Sequence, residues 1–133
     1  MELTAEIAAI RDGLGDSGRL VGEFRRAVLL VPLAGGAEGG LMSAVSGGIR
    51  WIYAFTDEEA LARFAEARGE SGREWEFLSV LGARLVDAVV PLADGPAGVV
   101  VNVADEGGSM FFPPVAGIVP DENAVDLDRG EVA

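Results

Sequence analysis

The most regular pattern in the chain runs from Ile49 to Gly69. Ile49, Trp51, Tyr53 and Phe55 alternate with Arg50, Ile52 and Ala54. A period of two puts four large apolar or aromatic groups on one face of a strand. The opposite face is mostly apolar too, which predicts a central strand covered on both sides. The period then changes. Thr56-Asp57-Glu58-Glu59 reads as a capping box: the Thr56 hydroxyl accepts from a free N–H of the first turn and Glu59 reaches back. The three carboxylates sit at the positive end of the helix dipole, worth about 0.3–1 kcal/mol each when exposed. Leu61, Phe64 and Ala65 form the buried stripe, Glu59 and Arg63 an i,i+4 pair on the wet side, and Gly69 a left-handed cap.

The remaining pattern places further elements around this one. Leu3, Ile7, Ile10 and Leu14 predict an amphipathic helix ending near Gly13. Ser17 reads as the N-cap of a second helix through about Arg26, with Leu20, Val21 and Phe24 inward. Val28 to Val31 is a strand closed by Pro32. Ala34 to Gly40 is a glycine-rich loop, and Leu41 to Ser46 a strand joined to Ile49–Phe55 by a Gly47-Gly48 hairpin turn. Glu74 to Leu92 fits both periods. The aromatic start and Gly82 favour a strand over 75–81 followed by a helix over 82–89, ended by Pro91 and the Asp94-Gly95-Pro96 turn. Ala97 to Val103 is an apolar central strand, Asp105 to Gly108 a turn, and Ser109 to Phe112 an edge strand stopped by Pro113-Pro114. From Pro120 onward the acidic sequence predicts loose chain.

These elements predict a single α+β domain, with a mixed sheet of five or six strands and about four helices packed on it. A length of 133 residues suits one domain and buries roughly two thirds of the unfolded surface. No repeat is present. The start, Met1 to Gly13, lacks the basic-then-apolar order of a signal peptide, and the longest uncharged apolar run, Ala27 to Ala34, is too short to span a bilayer. A cytoplasmic protein is the expectation.

Composition narrows the chemistry. The chain has no Cys, no His and no Lys, and all ten basic residues are Arg. Thiol nucleophiles, disulfides, thiolate metal sites, imidazole proton shuttles and amine Schiff bases are therefore excluded. No cofactor and no catalytic residue is expected, so the chain reads as non-enzymatic. A net charge of −12 disfavours nucleic acid and anionic membrane as partners and favours a basic protein.

Several groupings of polar residues resemble chemical sites. Asp57, Glu58 and Glu59 diverge on a helix and serve a cap better than a cation. Asp121, Glu122, Asp126 and Asp128 miss the calcium-loop spacing, so no metal site is assigned. Ser43, Ser46, Ser79 and Ser109 lack a neighbouring base of the usual kind. Gly35-Gly36 and Gly39-Gly40 are not followed by the Lys-Ser/Thr of a phosphate loop. Trp51, Tyr53 and Phe55 fit core better than a stacking platform. Two candidates remain. Asn102, with Thr56 and Asp57, falls at the carboxyl ends of strands, where open sheets bind small molecules or cations. Met110, Phe111, Phe112 and Pro113 form an apolar edge strand able to accept a partner's strand or a second copy, giving a homodimer.

Four of these segments, in order, carry a resemblance: Val31-Pro32, the run from Ala54 to Leu61 (Ala-Phe-Thr-Asp-Glu-Glu-Ala-Leu), Gly82 to Val86, and Gly98-Val99-Val100-Val101-Asn102. Together they resemble the SseB N-terminal domain family, found in similar bacterial proteins, over roughly residues 1 to 115. Val103 stands where that family often has Pro after Asn. The resemblance implies an α+β fold, taken as a domain over 1–118, and the acidic composition beyond it predicts a partly disordered tail over 119–133. It carries no catalytic residues, since the family name records a serine-sensitivity phenotype. The reading that follows is a non-catalytic protein-interaction module, with a small-molecule or cation-binding domain as the alternative.

Overall fold

In a computed structural model of the chain, residues 2–34, 40–105 and 107–127 are described. Helix α1 (Leu3–Arg11) is capped by the Glu2 side chain, which accepts from the Thr4 N–H. Helix α2 (Ser17–Arg26) is capped by Asp16 rather than Ser17, through the Arg19 N–H. The difference is one of chemistry: an ionised carboxylate accepts more strongly than a hydroxyl. Leu3 and Ile7 are buried as the spacing predicts, but Leu14 falls beyond the helix and is exposed.

Strands β1 (Val28–Pro32), β2 (Ser43–Ser46) and β3 (Ile49–Ala54) follow. The β2–β3 hairpin turns through Gly47 and Gly48, both at positive φ, as a two-residue hairpin requires. Leu41 and Met42 lie ahead of β2 and bridge instead to the end of β1. Residues 35–39 of the glycine-rich loop lie outside the described residues. Helix α3 (Glu58–Ala67) leads to β4 (Phe77–Leu81), which passes directly into α4 (Gly82–Arg84), a π turn (Leu85–Val89) and a 3-10 turn (Val90–Leu92). The strand-then-helix reading of 75–92 therefore holds. Gly82 is demanded by packing: a Cβ there would lie 1.9 Å from the Phe24 carbonyl oxygen. Strand β5 (Ala97–Val101) is buried throughout, and β6 (Met110–Phe112) ends at Pro113.

The chain is an α+β fold whose six strands form two groups. One is antiparallel β1–β4; the other has the order β2-β3-β5-β6, with β3 and β5 parallel and the outer pairs antiparallel. Leu30 and Phe55 exchange two backbone hydrogen bonds at 2.8 Å and join the groups. The route from β3 to its parallel neighbour runs through α3, β4 and α4. It is one long connection that detours through the second group.

Two apolar clusters hold the layers. Leu29, Val31, Ile52, Ala54, Val99, Val101 and Phe112 meet α1, α2 and the 82–92 helical segment on one side. Phe55, Ala60, Leu61 and Phe64 pack with Leu30, Tyr53, Trp75 and Phe77 on the other. The buried face of β3 is Ile52 and Ala54. Trp51 and Tyr53 are half-buried, and Phe55 lies past the strand's end. The expectation of a strand covered equally on both faces is corrected accordingly.

The chain from Pro120 is not loose as far as it is described. Asp121–Asn123 form a 3-10 turn, Ala124 is buried, Val125 N–H donates to Pro114 O, and Asp126 accepts from the Ala116 N–H. Val119, Ala124 and Leu127 give this segment enough apolar area to pack. Residues 128–133 lie outside the described residues.

Candidate functional site

The carboxyl ends of β3 and β5 bring Thr56, Asp57 and Asn102 together. Asn102 follows β5 with φ 53°, a left-handed conformation that Asn tolerates better than most residues. This turns its side chain back across the sheet end. Asn102 Oδ1 accepts from the Thr56 N–H at 3.0 Å, and Asn102 Nδ2 donates to Thr56 Oγ1 at 3.0 Å. Its own N–H donates to Ala54 O, and its carbonyl accepts from Asp105 N–H. Asn102 is buried, so these bonds replace water that the site excludes.

Thr56 is therefore held by Asn102 and is not the helix cap. Asp57 takes that role, its Oδ1 accepting from the Ala60 N–H at 2.8 Å. The capping box on Thr56 is corrected to a carboxylate cap one residue later. Arg63, on α3, reaches the turn after β5 and pairs in two places with Asp105, Nε to Oδ1 at 2.5 Å and Nη2 to Oδ2 at 2.8 Å. It does not pair with Glu59 in the contacts seen. Asn102 and Arg63 together clasp the β5 turn to the start of α3. The three residues predicted as a ligand site are brought together, but their polar atoms are used within the fold. Among the described residues, no three carboxylates stand close enough to share a metal ion.

The second candidate, the β6 edge, divides by face. Phe112 is fully buried and stacks on Phe24 with ring centroids 4.2 Å apart. Its side chain is core and does not face a partner. Phe111 points the other way and is 53% exposed, edge-on to Trp51 at 5.0 Å. Gly98 makes this possible. A Cβ there would come within 2.9 Å of the Trp51 ring and 2.6 Å of the Phe112 carbonyl oxygen, so only glycine lets the indole approach β5 this closely. Met110, on the same strand face as Phe112, packs against the core, and Pro113 follows the strand half-buried. The result is an aromatic surface at an open sheet edge, continued by Tyr53 against Phe64 at 4.9 Å.

Among the serines weighed as nucleophiles, Ser43 Oγ accepts from Arg50 Nη1. Arg50 lines a shallow depression of about 520 Å³ with Val45, Leu92 and Asp94. Two features were not read from sequence. One is Glu6, whose side chain is 1% exposed with both carboxylate oxygens unpartnered. The other is the Arg63–Asp105 clasp. An acid at a helix position between Leu3 and Ile7 signals the first; nothing local signals a pair 42 residues apart. No helix among the described residues is long and apolar enough to cross a membrane. Compared with protein-family models, with curated proteins and with solved structures, the chain finds no match.

Proposed function

We propose that this chain is a non-catalytic protein-interaction module of the SseB-like kind its motifs resemble, acting in the cytoplasm through the Phe111–Trp51 surface. The observation that carries the reading is Phe111: a large aromatic side chain, 53% exposed, held edge-on to Trp51 beside an open strand edge. Aromatic residues in such settings supply much of the energy of protein interfaces. The partner is a basic protein segment. A net charge of −12 attracts it, and its arginine or lysine heads gain from the faces of Trp51 and Phe111. The absence of His, Cys and Lys supports a role carried by surface rather than by proton transfer or covalent intermediates.

The test is cross-linking and affinity capture with the purified chain, comparing wild type with Phe111→Ser. A basic protein held by the wild type and lost with Phe111→Ser, with about tenfold weaker binding or more, supports the reading. A melting-temperature screen over amino acids, nucleotides and divalent cations provides the counter-test. A shift of several degrees that disappears in Asn102→Ala would replace the module with a small-molecule or cation-binding domain at the sheet end.

A further inference from the structure

The open edge that sequence reading singled out is β6, but it is short and partly closed. It spans three residues, stops at Pro113, and has Ser109 O occupied by Arg11 Nη1 at 2.9 Å. Strand β4 is different. Phe77-Leu78-Ser79-Val80-Leu81 is five residues long, uncharged and free of proline, and among the described residues β1 is the only strand it pairs with. The devices by which proteins protect edges are absent from it.

Its hydrogen-bonding sides can be assigned. Leu33 N–H donates to Glu76 O and Gly82 N–H donates to Ala27 O, both across the β1–β4 ladder. Antiparallel pairs alternate, so Leu78 and Val80 aim their backbone groups at β1. Phe77, Ser79 and Leu81 aim theirs outward. Leu30, opposite Ser79, confirms the phase, because its own N–H and C=O face away from β4 toward Phe55. Beside this edge one face carries an apolar pair, Leu81 at 47% and its cross-strand partner Val28 at 58% exposed, while Leu78, 49% exposed, lies on the opposite face.

We infer that β4 pairs antiparallel with β4 of a second copy, about a twofold axis at Ser79. Three features select a second copy over another protein's strand. Phe77, Ser79 and Leu81 are symmetric about Ser79, so each outward pair meets an outward pair and about six backbone hydrogen bonds form. The register sets Phe77 beside Leu81 of the other copy, next to a groove of about 240 Å³ lined by Leu61, Ala65, Trp75 and Phe77. Each copy thus offers both an apolar knob, Leu81 with Val28, and the groove that takes it. The flanks are complementary as well. Glu74 and Glu76 precede the strand and Arg84 follows it, all exposed, and antiparallel pairing brings acid to arginine at both ends. The inference is independent of the Phe111 surface.

The test is sedimentation of the full chain over a concentration series, with two variants. Ser79→Pro removes one outward N–H and leaves every β1–β4 bond in place. It raises the dimer dissociation constant about tenfold or more while the melting temperature of the monomer is kept. Ser79→Cys introduces the chain's sole thiol. Its Cα is placed about 5.5 Å from its mate at a hydrogen-bonded pair, so a short thiol-specific bifunctional cross-linker joins the two copies into a covalent dimer. Should Ser79→Pro fail to fold, Leu81→Glu sets a carboxylate against Phe77 and the apolar groove of the other copy and weakens the dimer in the same way. A wild type that is monomeric at all concentrations, a Ser79→Cys chain that does not cross-link, or a dimer indifferent to both substitutions overturns the inference. So does loss, in these variants, of binding to a different protein's strand with self-association unchanged. Phe111→Ser leaves the dimer intact, which separates this surface from the one proposed above.

Discussion

Asn102 concentrates several constraints in one residue. It adopts a left-handed backbone, and it satisfies both the N–H and the hydroxyl of Thr56 from a buried position. Asn102→Ala strands a buried N–H and forces alanine into a disfavoured conformation, so a loss of about 2–4 kcal/mol is expected in denaturant unfolding. Asn102→Gly relieves the backbone part alone and should recover about 1 kcal/mol of that loss. Equal losses would show that the side-chain bonds carry the whole effect. Glu6 presents the reverse case, a buried carboxyl with nothing to bond to. Its place near the start of α1 gains from the helix dipole, but only about 0.3–1 kcal/mol, while an unpaired buried polar group costs about 1–3 kcal/mol. Glu6→Leu is therefore expected to raise the melting temperature by several degrees. A fall would mean that Glu6 has an electrostatic role that its surroundings do not reveal.

Between elements, the Arg25–Asp87 pair ties α2 to the π turn after α4, with Arg25 Nη2 and Asp87 Oδ2 at 2.6 Å. The hydrogen bond to Arg25 lowers the Asp87 pKa below its ordinary 3.8. A carboxyl depressed in the folded state stabilises it above the unfolded value, and that contribution is lost as pH falls through the folded one. Asp87→Asn should then be less stable than the wild type near pH 7, by a small margin because the pair is exposed, and indistinguishable from it well below pH 3.8. Paired thermal melts across this range check both ends. The elements themselves were largely legible. The Gly47-Gly48 hairpin, the α3 stripe of Leu61, Phe64 and Ala65, and the apolar run of β5 are local signals; the first two formed where their periods placed them, and β5 ended at Val101, short of the predicted Val103, where Asn102 turns the chain. Their caps were displaced by one residue, to Asp16 and Asp57, because carboxylates compete with neighbouring hydroxyls for the same N–H groups.

Across the whole molecule, charge opposes folding and association. With 22 acidic and 10 basic residues, repulsion is long-ranged, whereas the ion pairs are short. Raising salt from about 10 mM to 150 mM shortens the screening length from about 30 to 8 Å and should raise the melting temperature. A fall would mean that local pairs such as Arg63–Asp105 outweigh the net charge. At this scale the sequence alone determined the α+β class, the strand and helix periods, and the lack of thiol, imidazole and lysine amine side chains, since each follows from residue identity and near-neighbour spacing. Tertiary structure decided the rest. It split the six strands into two groups and drew Thr56 and Asn102 into a clasp. It sent Phe112 inward and Phe111 outward, and folded 121–127 back onto the core. It also left β4, rather than β6, as the long open edge. These outcomes depend on contacts between residues tens of positions apart, where a buried atom must find its partner, and no local period encodes which partner that is.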